Sequence, residues 1–241
     1  MSWTVEGVGK KKEARYAPSG RRNLLEIFVP YILILGVIWT PRPLQRWLWI
    51  VAATVIITVT FVSWPGRDAL GLRLKNLVRS FWIVGAAMVV ATVAVILAGH
   101  LHTLVLHGGP LWLIENYWLY AVWSGAQQFL LQCFFLVRLL RLVPRKWLAA
   151  MIAAALFSIA HIPNFILVPA TLAWGFLACL HFIKYRNLYP LAIAHAILGI
   201  MIAITIPGPV VHNMRVGLGY VRYNPRYYRH HPLWMHRSPQ P

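Results

Sequence analysis

Three short polar motifs interrupt the apolar second half of the sequence, and they hold the residue types that could do chemistry there. They are residues 126–132 (AQQFLLQ), 157–164 (FSIAHIPN) and 191–199 (LAIAHAILG). Polar side chains within runs this apolar usually face the interior of a bundle or a water-filled cavity, because exposing them to lipid is costly. Two histidines and a group of amides could form a small polar pocket, with histidine as its acid–base group.

Helical spacing places the polar residues of each motif on shared faces, because residues four apart lie on the same side of a helix. The pairs that share a face are Gln128 and Gln132, Phe157 and His161, and His195 and Gly199. Gln127 lies beside the first pair. A plainer alternative stays open for the three glutamines, which could simply form hydrogen bonds between neighbouring helices.

The order and spacing of these motifs resemble the CPBP family of membrane peptidases, the CaaX-protease-like and bacteriocin-processing (Abi) proteins. The family's second motif is similar to the stretch that contains Phe157, His161 and Asn164. The start of its third motif is similar to His195 with Ala196. The resemblance implies an intramembrane metallopeptidase in which a glutamate activates water. The histidines then serve as a second base, metal ligands or oxyanion support. It implies catalytic positions at Gln127, Gln128, His161 and His195, binding positions at Gln132, Phe157, Asn164 and Gly199, and a zinc ion held by His161 and His195.

Four of these positions depart from the family's pattern. Gln127 and Gln128 stand where the family has paired glutamates, Gln132 where it has arginine, and Gly199 where it has asparagine. A glutamine amide has no proton-accepting state near neutral pH and cannot act as the base. Replacing the acid and the arginine together avoids an orphaned buried charge, which would cost about 3–5 kcal/mol. We therefore hypothesise that the pocket persists while its chemistry is altered or lost.

Other residues do not readily replace the missing glutamate. Glu26 opens the first apolar run, Asp68 lies in a charged loop, and Glu115 precedes Gln127 by roughly 18 Å of helix. The histidines themselves could act as the base. Two histidines make a poor zinc site, since catalytic zinc usually has three protein ligands.

The composition is that of an integral membrane protein, since 59% of the residues are hydrophobic and 12% are charged. Soluble domains average about 45–50% hydrophobic residues and about 25% charged residues. We predict an all-α polytopic transmembrane bundle of about seven spans, at 24–40, 44–63, 81–99, 111–137, 147–161, 165–183 and 188–206. Pro163 is expected to interrupt the fifth span, and Pro190 to open the seventh in the first helical turn.

Four segments organise the chain around these spans. We expect a basic cytoplasmic arm at 1–23, N-terminal transmembrane helices at 24–110, core helices at 111–206, and a basic aromatic tail at 207–241 without regular structure. Residues 64–79 are predicted to form a short surface helix or loop. His100, His102 and His107 are assigned to a loop, His181 to the membrane interface, and Cys133 and Cys179 to apolar packing.

The net charge of +18 comes from short basic clusters between apolar runs, which is typical of topology-setting residues and not of nucleic-acid binding. We expect a multi-pass protein of a bacterial plasma membrane with a cytoplasmic N-terminus and with contacts to anionic lipid. Arg138 is counted among the basic residues of an inner loop. Seven full spans would place the basic tail outside, so either one span does not cross or the last segment turns back.

Two functions remain open. The first is a CPBP-like intramembrane peptidase that processes peptides at or in the membrane, with its catalysis retained in altered form or lost. The second is a non-catalytic relative that binds a hydrophobic or lipidated peptide as a scaffold. A small transporter is less well supported, because the sequence has no inverted repeat.

Overall fold

Helices form all the regular structure in the part of the chain that this computed structural model describes, residues 20–64, 66–105 and 109–224. The elements are α1 (Gly20–Trp39), α2 (Leu44–Val62), α3 (Leu77–Ser80), α4 (Trp82–His100), α5 (Pro110–Gln128), a π-helical segment (Phe129–Leu136), α6 (Val137–Leu142), α7 (Lys146–Ile159), α8 (Leu167–Tyr185), α9 (Tyr189–Thr205), α10 (Gly208–Val211), a 3-10 turn (His212–Met214) and α11 (Gly217–Val221). The predicted all-α membrane bundle is confirmed, and a long helix occupies each predicted span.

The long helices differ in their ability to cross a bilayer. Gly20–Trp39, Leu44–Val62, Leu77–His100 and Leu167–Tyr185 have the length and apolar composition of a span. The α7 helix has only 14 residues, which rise about 21 Å against a hydrocarbon core of about 30 Å. It ends at Ile159, before the predicted limit at His161. The fifth predicted span is therefore too short to cross the hydrocarbon core by itself. A span that does not cross is one of the two ways in which the basic tail could stay on the inner side.

Small residues bring α7 and α8 into close contact. Ala149, Ala150, Ala153 and Ala154 form a buried face on α7. Opposite them, a Cβ placed on Gly175 of α8 would lie 3.3 Å from the Cα of Ala154. Such stripes let helix backbones approach closely where lipid provides no hydrophobic driving force. The α9 helix, which begins with Pro190 in its first turn as predicted, packs against α4 and α5.

The segment between α2 and α4 consists of turns and the short α3 helix and lies largely at the surface, as predicted. Leu74 and Val78 are 76% and 88% exposed, whereas Leu70 is 1% exposed. The carbonyl of Gly71 accepts a hydrogen bond of 3.1 Å from the amide of Leu188, and Asn187 donates its side-chain amide to the carbonyl of Arg73 at 2.9 Å. The loop that precedes α9 thus anchors this surface segment to the bundle.

His181, which was predicted to lie at the membrane interface, is buried within the protein near the end of α8. Its Nε2 donates to the carbonyl of Ser80 at 3.0 Å, and the side chain is packed between α8 and the short α3 helix. The predicted packing roles of Cys133 and Cys179 are confirmed, since both are buried. His100 and His102 are exposed at and after the end of α4, and His107 lies outside the described residues.

Arg138 does not serve as an exposed topology signal. It is 4% exposed, and its Nε donates to Glu26 Oε2 at 2.9 Å. The same carboxylate accepts hydrogen bonds from Arg22 at 2.8 Å and from Ser63 at 2.5 Å. The Glu26–Arg138 ion pair therefore joins α1 to α6, and Glu26 is engaged away from the polar motifs.

The first part of the predicted irregular tail is ordered, which corrects that prediction for residues 207–224. Its helices are too short to give a sequence period. Asn164 fixes them by donating its amide to the carbonyls of Val211 at 2.8 Å and Arg215 at 3.1 Å. The amide of Gly217 donates to the carbonyl of Ile162 at 2.8 Å. The rest of the predicted tail and residues 1–19 of the predicted arm lie outside the described residues.

Candidate active site

A central cavity of about 950 Å³ lies among α1, α2, α5, α7, α8 and α9. One side is covered by Asn213, Met214 and Val216 of the tail segment. The described residues of its wall are mainly aliphatic and aromatic, and none of them is an acid, a lysine or an arginine. Its polar wall residues include Tyr120, Gln127, His161, Thr171, His195 and Asn213.

A buried hydrogen-bond chain connects the first polar motif to the third. Gln132 Nε2 donates to Gln128 Oε1 at 3.2 Å, and Gln128 Nε2 lies 2.9 Å from Nδ1 of His195. Both glutamines are 0% exposed. Gln132 belongs to the π-helical segment, and π turns within α-helices are frequent at functional sites. The two amides thus form an uncharged buried contact between positions one helical turn apart.

The proton position on His195 follows from the orientation of the Gln128 amide, in which Nε2 faces the ring. The amide nitrogen of Gln128 can only donate, so Nδ1 of His195 accepts. A neutral imidazole that accepts at Nδ1 carries its proton at Nε2. His195 therefore faces its surroundings as a hydrogen-bond donor through Nε2.

His161 has the opposite arrangement. It lies in the turn after α7, and its Nδ1 donates to the carbonyl of Phe157 at 2.7 Å. Since a neutral imidazole has one proton, Nε2 of His161 keeps its lone pair. The two histidines of the cavity wall thus differ, one having an accepting nitrogen available and the other a donating one.

The ring of Phe157 brings the two histidine motifs together. Its centroid lies 4.8 Å from that of His161 and 5.7 Å from that of His195, both in edge-on geometry. If α7 and α9 began at one membrane face, spacing alone would put the histidines at different depths. In the structure both rings nevertheless contact the ring of Phe157, and His161 lies in the turn that follows α7.

The site does not fit a zinc ion. Within the described ranges no group of three or more His, Cys, Asp and Glu side chains lies close enough to hold a metal. Catalytic zinc usually takes three protein ligands, and a ligating histidine usually donates its second nitrogen to an acceptor. His195 instead accepts at Nδ1. The chemistry of these residues is therefore considered without a metal ion.

The other predicted site residues divide into two groups. Gln127 and Gly199 line the cavity with the histidines. Asn164 is 0% exposed, and its Oδ1 accepts from the backbone amides of Ile166 and Leu167 at 3.2 and 3.1 Å. The hydrogen bonds of Asn164 stabilise the start of α8 and the tail segment. Asn164 is therefore not a wall residue of the cavity.

The remaining carboxylates considered from sequence also lie elsewhere. Asp68 pairs with Arg73 at 3.3 Å, and Glu115 is exposed on α5. Neither is a wall residue of the cavity.

Several wall residues, among them Tyr120, Trp174 and Asn213, lie outside the three sequence motifs. Tyr120 lies seven residues before Gln127, which is two turns earlier on the same face of α5, so helical spacing could have identified it. Asn213 lies in a short left-handed stretch, with φ of 48°, for which the sequence gives no periodic signal. Trp174 completes this side of the wall, with its ring 6.1 Å from that of His195.

The comparison with known families matches the core of the chain. Residues 110–201 match a family described as Type II CAAX prenyl endopeptidase Rce1-like. This confirms the resemblance to CaaX-protease-type membrane peptidases over the stretch that runs from α5 into α9 and contains every predicted site residue. No curated protein and no solved structure shows significant similarity to the chain.

Proposed function

We propose that this CaaX-protease-like membrane protein hydrolyses a peptide bond of a hydrophobic or lipid-bearing peptide, with His161 as the base in place of the family's glutamate. The observation that supports this role is the opposite hydrogen bonding of the two cavity histidines. The carbonyl of Phe157 accepts a hydrogen bond from His161 Nδ1–H, while Gln128 donates to His195 Nδ1. The site thus has one imidazole nitrogen to accept a proton and one to donate.

The reaction would need no charged group in the resting site. Nε2 of His161 takes a proton from water, and the hydroxide forms a bond to the carbonyl carbon of the scissile peptide. The oxyanion that results accepts a hydrogen bond from Nε2–H of His195, a form of stabilisation that is often the largest in acyl transfer. His161 then returns its proton to the leaving nitrogen as the C–N bond breaks. The products are a carboxylic acid and an amine.

The cavity favours an apolar substrate. A volume of about 950 Å³ with mostly aliphatic and aromatic walls can bury a long hydrocarbon group or several large side chains. Charged peptide side chains would find no partner among the described wall residues. A peptide with a lipid group near the scissile bond, or an apolar membrane-spanning peptide, would fill the apolar cavity without placing a charged side chain against its wall.

The test is a cleavage assay in liposomes with lipidated and transmembrane peptides that carry a fluorophore on each side of the scissile bond. The variants are His161→Ala and His195→Ala. The matched control is His181→Ala, because His181 is equally buried but lies outside the cavity wall. We expect cleavage by the natural protein and the control, and its loss in both cavity variants.

Two results would overturn this proposal. Full activity in His161→Ala would remove the histidine from the role of base. No cleavage by the natural protein, together with peptide binding that still depends on both histidines, would favour the non-catalytic scaffold instead.

We also propose that the protein lies in a bacterial plasma membrane with its N-terminus in the cytoplasm and with anionic lipid at its basic segments. The distribution of Lys and Arg in the short loops supports this orientation. A single cysteine placed at Ser2 should resist an impermeant maleimide in intact cells, and labelling there would reverse the orientation. The native Cys133 and Cys179 are buried and give a low background.

A further inference from the structure

Tyr120 occupies the space that a side chain at position 199 would need. A Cβ built on Gly199 would overlap the hydroxyl of Tyr120 and would lie 2.5 Å from its Cζ and 2.6 Å from its Cε1. The distal end of the phenol, including its hydroxyl, is therefore placed against the backbone of α9. Any larger residue at position 199 would have to displace the ring.

This position belongs to the candidate active site. Tyr120 and Gly199 both line the central cavity. His195 lies four residues before Gly199, so a group seated at Gly199 is on the same face of α9 as His195. The phenol thus reaches this face from α5, one helical turn from the imidazole that donates through Nε2.

From this geometry we infer that the Tyr120 hydroxyl is a substrate-binding residue that donates a hydrogen bond to the carbonyl group of the bound peptide. The inference rests on the proposed function, since it names a second donor beside His195. An amide or hydroxyl donor beside the imidazole would hold the carbonyl in the ground state and the oxyanion in the transition state. Gly199 has no side chain that could supply it.

The experiment uses Tyr120→Phe, which keeps the ring and removes only the hydroxyl. Tyr117→Phe is the matched control, because Tyr117 is a partly buried tyrosine of the same helix outside the cavity wall. We expect kcat of the lipopeptide substrate to fall about 10²-fold in Tyr120→Phe, the usual cost of one oxyanion donor, and KM to rise by about threefold to tenfold for the lost ground-state hydrogen bond. A purely structural role would lower thermal stability and leave kcat unchanged.

A binding measurement separates this inference from the proposed peptidase. It compares two non-cleavable lipopeptides in the full-length protein, one with a ketone at the scissile position and one with a methylene. The natural protein and Tyr117→Phe should prefer the ketone by about threefold to tenfold, the usual range for one net hydrogen bond. Tyr120→Phe should lose that preference. Tyr120→Ala combined with Gly199→Asn, which puts an amide donor into the vacated space, should regain part of it.

The outcomes are distinct. An unchanged ketone preference in Tyr120→Phe overturns the inference, whatever the cleavage assay gives. Loss of the preference in Tyr120→Phe without cleavage by the natural protein supports the hydrogen bond and overturns the peptidase. Binding of neither lipopeptide overturns both.

Discussion

The buried amide pair gives a prediction that can be worked through in free energy. Gln128→Glu would place a carboxylate at a position that is 0% exposed, beside the Gln132 amide and the His195 ring. No cationic side chain lies on the described cavity wall. Gln132→Arg would place an unpaired guanidinium in the same buried region.

Each single change should lower the free energy of unfolding by about 3–5 kcal/mol, because it leaves one uncompensated buried charge. Gln132→Arg also adds volume to a packed segment, which costs about 1–3 kcal/mol more. In the double variant the two charges lie on residues that already touch at 3.2 Å. We expect the double variant to be less destabilised than the sum of the singles by about 2–3 kcal/mol, which is within the range for contacting residues.

The coupling can be measured by reversible unfolding of the four proteins in mixed lipid–detergent micelles. Gln45→Glu is a suitable control, because the Gln45 side chain also donates a hydrogen bond, to the carbonyl of Val37 at 2.8 Å, but lies away from the cavity wall. It should show no coupling with Gln132→Arg. Effects that add within about 0.5 kcal/mol for Gln128→Glu and Gln132→Arg would refute the inference that these amides replace an ion pair.

The same double variant has an expected effect on chemistry. A carboxylate at position 128 can only accept hydrogen bonds. His195 would then have to donate a hydrogen bond from Nδ1, which leaves the lone pair of its Nε2 available. The site would then contain two potential bases, and we expect faster peptide cleavage than in the natural protein. An unchanged rate would argue against control of the His195 tautomer by residue 128.

Three further predictions concern the scaffold. Arg138→Met should lower the free energy of unfolding by about 1.5–3 kcal/mol, because Glu26 loses its buried partner but keeps Arg22 and Ser63, and Glu26→Gln in addition should recover part of it, as equilibrium unfolding can show. Gly175→Val should cost about 1–3 kcal/mol by forcing α7 and α8 apart, whereas an unchanged melting temperature would contradict their close packing. Asn164→Ala should cost about 2–4 kcal/mol and expose the tail segment to limited proteolysis, with Asn116→Ala on α5 as a control that leaves cleavage unchanged.

Local spacing was sufficient to predict contacts within single helical segments. The four-residue separations of Gln128 and Gln132, and of Phe157 and His161, correspond to a hydrogen bond and a ring contact in the structure. Composition was likewise sufficient for the all-α membrane bundle, since the apolar runs are longer than a soluble core requires. The absence of a glutamate at positions 127 and 128 is also a fact of sequence alone.

Charge patterns were less informative, because a charged residue in a loop and one in a buried pair look alike in sequence. Arg138 follows an apolar run and resembles a topology signal, yet its partner Glu26 is 112 residues away. The basic segment before α4 is largely exposed as its charges indicate, but the sequence gives no sign that Leu70 within it is buried.

The sequence by itself determined the fold class, the polar motifs and the loss of the family's charged pair, because these depend on residue type and on separations of a few residues. Only the tertiary structure decided which nitrogen of each histidine is available, that Tyr120 fills the space beside Gly199, and that Asn164 serves the tail segment. Gln128 and His195 are 67 residues apart, as Asn164 and Val211 are 47 apart. Contacts at such separations depend on how the helices pack, and no local period encodes them.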